Sequence, residues 1–196
     1  MRIGTRYANI KEENMDFSKI KLFVDLDGTA AVWNAAGEYE DLFREGYFLN
    51  LRPHENVVKG VKRLYECGLD VYVLSAYLTE SRFALREKNA WVETYLPFVD
   101  RRNRLFVPQN MSKPNYVSAL IGELDNKYIL LDDYSKNLHE WQAANGFGIK
   151  LMNGLNGTVG TWKGPSVSRF DTSEKIKKEV LEHINNNLGG KLNPLW

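Results

Sequence analysis

The residues best able to do chemistry are acids placed where apolar runs stop. The run IKLFVDLDG, residues 20–28, closes on Asp25 and Asp27, two positions apart and followed by Gly28. LDVYVLS stops at Ser75, and KYILLDD stops at Asp132 and Asp133. In open α/β sheets ligands sit beyond the carboxyl ends of the strands, so these residues are expected to share one rim. Carboxylates crowded within about 4 Å repel by about 4 kcal/mol per pair in an effective dielectric of about 20, and the cluster therefore needs a proton or a cation. With a single cysteine and three scattered histidines, the chain favours a hard, oxygen-binding ion. Mg²⁺, held by one or two carboxylates and completed by water and phosphate oxygens, fits that donor set and points to phosphoryl chemistry.

Spacing divides the roles of the first two acids. Asp25, at the strand end, can aim at phosphorus and form an aspartyl-phosphate, while Asp27, in the turn, can protonate the leaving oxygen and later activate water. Gly28 lets the backbone turn tightly beside a phosphate. DLDG by itself is also what a strand and a plain turn would show. It is not an EF-hand loop, which would need a further acid and a closing glutamate. The added strand ends at Ser75 and Asp132–Asp133 favour the chemical reading.

The elements that must hold these residues are legible as an alternation. Strands are expected over 20–26, 69–75, 104–108, 127–131 and 147–151, and helices after Pro53, over 80–95, over 114–124, around Leu138 and Trp141, and over 173–187. The apolar runs are continuous, which argues for a doubly wound, mainly parallel α/β sheet with helices on both faces. The tail helix, with Ile176, Val180, Leu181 and Ile184 in one stripe, is expected to pack on the outside of the sheet. Residues 1–17 read as an arm, 18–190 as one domain, and 31–52 as a short cap insertion with room for one short helix. The Gly/Asn-rich stretch 153–165 reads as a long loop.

Composition narrows the partners. The chain has 196 residues, 26 basic against 25 acidic, and a net charge of +1, which offers no footprint for a nucleic-acid duplex or an anionic membrane. No apolar signal segment or membrane span is present in the sequence, so a cytoplasmic location is expected. Cys67 reads as a core residue, and His54, His139 and His183 lack metal-ligand spacing.

Taken in order over residues 20–133, FVDLDGT, VLS, a lysine and ILLDD resemble the four motifs of the haloacid dehalogenase-like (HAD) phosphatases. EKNAWVETYLP (87–97) and GYFLNLRPHENVVKGVKRL (46–64) are further similar to the 5'(3')-deoxyribonucleotidases of the cytosolic and mitochondrial type. The resemblance implies a HAD-like Rossmannoid fold and a Mg²⁺-dependent phosphomonoesterase whose favoured substrate is a deoxynucleoside monophosphate. It makes Asp25 the nucleophile, Asp27 the acid/base and Ser75 a phosphate-binding hydroxyl. Asp25, the Asp27 backbone carbonyl and Asp133 would hold the metal, with Asp132 orienting that site or the lysine. Lys113 is the preferred phosphate lysine and Lys88 its rival. Trp33 falls where an aromatic would face the base, though it could equally prop up the lid, as could Tyr39, Phe43, Tyr47 and Phe48. The chain departs from those nucleotidases in its short lid, which keeps open a sugar phosphate or other small phosphoester as substrate. A non-catalytic nucleotide or phosphate sensor is the remaining reading.

Overall fold

A computed structural model describes residues 16–34, 37–155 and 160–190. Its sheet has six strands: β1 (Lys21–Val24), β2 (Asp70–Tyr77), β3 (Arg104–Pro108), β4 (Tyr128–Asp132), β5 (Phe147–Met152) and β6 (Ser166–Ser168). All pair in parallel, in the order β3-β2-β1-β4-β5-β6. The central strand is short and buried between two neighbours, with Val24 level with Val73 of β2 and Leu131 of β4. The chain reverses its direction of travel across the sheet between β1 and β4, which opens a crevice at that edge.

Among the described residues five α-helices cover the sheet: α1 (Glu55–Glu66), α2 (Ala84–Tyr95), α3 (Lys113–Leu120), α4 (Ser135–Ala143) and α5 (Ser173–Asn187). Side chains alternate along each strand, so Leu22 and Val24 pack into one core while Phe23 packs into the other. The first core holds Val57 and Val61 of α1, Trp91 of α2 and Ile176 and Val180 of α5. The second holds Val117 of α3 and Leu138 and Trp141 of α4. Helices α1 and α5 approach closely at Gly60, where an added Cβ would lie 3.0 Å from Ile176 Cγ2. Side-chain caps start two of the helices: Ser112 accepts from the Asn115 N–H and Thr172 from the Lys175 N–H.

The parallel, doubly wound arrangement agrees with the expectation, and its local details sharpen it. β1 stops at Val24 because the chain then folds back on itself, Ala31 N–H donating to Leu26 O at 2.8 Å. Helix α2 begins at Ala84 instead of Glu80; Ser81 Oγ accepts from the Ala84 N–H at 3.2 Å, and the residues before it form turns. The three-residue β6 follows the expected 153–165 loop, where the sequence reading places no strand. Among the described residues of the lid the expected helix is a single 3₁₀ turn, Tyr39–Phe43. Residues 1–15 of the arm and 156–159 of the 153–165 loop lie outside the described residues. Phe17 of the arm packs on the first core, and Trp162 of the loop is buried in the second.

Candidate active site

Asp25 stands one residue past β1, its N–H donating to Leu131 O at 3.0 Å, so the strand pairing itself delivers its carboxylate to the rim. Ser75 lies in β2, Asp132 ends β4, and Asp133 follows it. Lys113, the first residue of α3, donates from Nζ to Asp25 Oδ1 at 2.7 Å and to Asp132 Oδ2 at 2.6 Å. Lys88, in the second turn of α2, donates to Asp27 Oδ2, to Ser75 Oγ at 3.0 Å and to Ala76 O at 2.5 Å. Both candidate lysines therefore reach the acids. Lys113 meets the first acid of the pair, and Lys88 meets the second.

Asp133 is held by residues that sequence reasoning passed over. Thr29 Oγ1 donates to Asp133 Oδ1 at 3.2 Å and accepts from the Asp133 N–H at 3.0 Å. Asn153 Nδ2 donates to Asp133 Oδ2 and to Gly28 O, both at 2.8 Å. Gly28 has φ +84°, and a Cβ there would lie 2.8 Å from Asp133 Cγ, so glycine is required both by the turn and by the carboxylate beside it. Asp132 is bonded through both oxygens: besides Lys113, it accepts from Asn137 Nδ2 at 2.9 Å and from the Tyr134 N–H at 2.8 Å. A signal for Asn153 does exist, because it directly follows the apolar β5, as the acids follow β1 and β4.

The electrostatics show negative charge in excess. Burial pushes Asp25 up to about 8 against the pull of Lys113, and Asp132, Asp27 and Asp133 push the same way. Asp133 is pushed up to about 6, first by burial and then by Asp132, with the Asn153 and Thr29 hydrogen bonds pulling back. Burial works against the charge of Lys113, yet Asp132 and Asp25 hold its ammonium above the ordinary lysine range. Oxygens of Asp25, Asp132 and Asp133 lie within 4.8 Å of one another. Three buried carboxylates crowded this closely, all hard oxygen donors, fit a magnesium-type ion. None of the three histidines joins them: His54 sits beside Arg169, His139 beside Thr161 and His183 beside Ser166 O.

A cavity of about 250 Å³ opens over the acids, lined by Asp25, Asp27, Trp33, Ala76, Lys113, Asp133, Tyr134 and Asn137. Trp33 is half-buried and meets Tyr47 edge-on, with ring centroids 6.2 Å apart. It also borders an adjoining cavity of about 440 Å³ that includes Tyr47, Asn50 and Arg52. Trp33 thus both touches the lid and faces the acids. Phe48 is buried, Phe43 is half-buried, and Tyr39 on the 3₁₀ turn is exposed. Among the described residues no helix is long and apolar enough to cross a membrane.

Comparison with known proteins agrees with the parallel α/β fold. Among solved structures, the fold is similar to a D,D-heptose 1,7-bisphosphate phosphatase from B. bronchiseptica, complexed with magnesium and phosphate, at TM-score 0.58 and 13% identity. That match covers 83% of this chain and 98% of the other. A D,D-heptose 1,7-bisphosphate phosphatase from Burkholderia thailandensis matches at 0.52 and 14% identity, over 83% and 98% of the two chains. DsGPDH of Dunaliella salina matches at 0.53 and 14% identity, over 83% of this chain and 29% of that one. A search of curated proteins found no match. The profile of the "5' nucleotidase, deoxy (Pyrimidine), cytosolic type C protein" family matches residues 33–159, about two thirds of the chain, beginning at Trp33 and spanning Ser75, Lys88, Lys113 and Asp133. Asp25 and Asp27 precede that stretch and are joined to it by the sheet. The chain belongs to this family of 5' nucleotidases, within the HAD-like phosphatases.

Proposed function

We propose that this phosphoric monoester hydrolase works through an aspartyl-phosphate on Asp25 and acts on a deoxynucleoside monophosphate. The reading is carried by one observation: Asp25, Asp27, Lys113 and Asp133 surround one small cavity with Trp33 at its wall, and Ser75 is linked to Asp27 through Lys88. The Asp25 carboxylate attacks phosphorus as the bond to the leaving oxygen breaks, and Asp27 gives that oxygen its proton. Water then attacks the phosphorus with Asp27 taking its proton, and phosphate departs as Asp25 is restored. Lys113 and the Ser75 hydroxyl bind phosphoryl oxygens, and Trp33 stacks on the base. Mg²⁺ would be held by Asp25, Asp133 and the Asp27 backbone carbonyl, with Asp132 fixed beside them on Lys113, and its charge would offset that of the phosphoryl oxygens. A cytoplasmic location accords with the composition and with the cytosolic type in the family's name.

Asp25→Asn is expected to abolish turnover of dUMP or dTMP while far-UV circular dichroism stays unchanged; substantial residual turnover would sink the mechanism. A second reading keeps the chemistry and changes the leaving group to a sugar phosphate or other small phosphoester. It is favoured by the lid, which is one 3₁₀ turn where a fuller cap would select the substrate. A panel of phosphorylated metabolites decides between them, since no preference for dUMP or dTMP over generic monoesters would select the second.

A further inference from the structure

The lid is fastened to α2 and the turn before it. Ser81 Oγ donates to Leu42 O at 3.2 Å, and Trp91 Nε1 donates to Leu51 O at 2.7 Å. Between them Glu87, only 2% exposed, accepts from the backbone N–H groups of Gly46 at 2.6 Å, Phe48 at 3.1 Å and Leu49 at 3.4 Å. A buried carboxylate is costly unless its lone pairs are filled, and these amides from one turn fill them. Gly46, at φ +85°, supplies the left-handed backbone of that turn. One residue further on, Lys88 is equally buried. Its three donors serve Asp27, Ser75 and Ala76, and the Phe48 ring of the same lid turn lies 4.8 Å from its Nζ.

We propose that Glu87 and Lys88 are a positioning pair for proton transfer: Lys88 fixes the Asp27 carboxylate, and Glu87 fixes the lid turn whose Phe48 ring closes over Lys88. The inference rests on the reading of Asp27 as the acid/base. Lys88 occupies Asp27 Oδ2, so the proton given to the leaving oxygen, as its bond to phosphorus breaks, travels on Oδ1. The proton taken from water in the second half returns to the same oxygen. Neither residue touches the phosphoryl group in this scheme; Lys113 does that, from the other side of Asp25.

Two probes separate this role from packing. Alkyl monoesters such as dUMP or glycerol phosphate need a proton on the leaving oxygen, whereas p-nitrophenyl phosphate releases a stabilised phenolate and needs it far less. Lys88→Met is expected to lower kcat/KM on the alkyl esters about tenfold or more beyond its loss on p-nitrophenyl phosphate, with Lys88→Arg recovering part of the difference. Glu87→Gln is expected to show the same bias at smaller size. Equal losses on both probes in Lys88→Met would overturn the role of Lys88, and equal losses in Glu87→Gln would overturn the share of the lid. Should Lys88→Met not fold, Lys88→Arg and Glu87→Gln carry the same comparison. A parent enzyme that cleaves p-nitrophenyl phosphate but no alkyl ester lacks a working general acid and also overturns the pair. Asp25→Asn, assayed alongside, guards the reading beneath: if it remains active, the mechanism and this inference fall together. If it is inactive and the other variants show no bias, only the inference falls.

Discussion

Asp25 and Asp133 keep their protons to higher pH than ordinary carboxyls, because burial and the neighbouring acids disfavour their charge. A carboxyl whose folded value exceeds its unfolded one, 3.8, contributes stability that is full below that pH and is lost as pH rises through the folded value. For this pair the loss runs from about 4 up through about 6 for Asp133 and about 8 for Asp25. A dication that binds only the folded site competes with those protons. Millimolar Mg²⁺ is therefore expected to raise the melting temperature more near pH 8 than near pH 5.5. Paired thermal melts would check this, and equal shifts at the two pH values would count against the metal site. At this scale the acids were legible because a charge at the end of an apolar run is conspicuous. Asn153 carries only the weaker signal of its place after β5, since an amide has no charge to account for, and its partners Gly28 and Asp133 lie elsewhere in the chain.

Elements impose a different constraint, that of fit between surfaces. Helix α1 lies against α5 through Gly60, with no room for a larger side chain beside Ile176. Gly60→Val is expected to cost about 1–3 kcal/mol of stability through overpacking, with activity per folded molecule little changed, since Gly60 lies outside the acid cavity. Urea titration together with an assay of the folded fraction would check both halves. Long apolar runs and capped helices were readable because their signals are local: α5 occupies the expected 173–187. The lid resisted for the converse reason. Nothing within 31–52 shows that its amides will be gathered by Glu87, about forty residues later, and its 3₁₀ turn has too few residues for a period to show. The two lysines read as rivals because each matches a motif; that both arrive, on different acids, follows from the separate packing of α2 and α3.

At the scale of the whole molecule, both cores are built on the same strands. Phe23 and Val24 are adjacent in β1 and support opposite faces, so neither core can dissolve while the other keeps its floor. Trp91 reports the first core and Trp141 the second. Unfolding in urea is expected to be one cooperative transition in which tryptophan fluorescence and far-UV circular dichroism coincide. Separate midpoints would show that one face melts alone. The strand order itself came within reach of the sequence only as a class, because continuous apolar runs say parallel and buried without saying which strand lies beside which. The Glu87 anchor gives this cooperative body one element that can release separately. The Gly46, Phe48 and Leu49 amides depend on a single carboxylate, so in native-state hydrogen exchange they are expected to open as a unit, ahead of the strands and with one shared opening free energy.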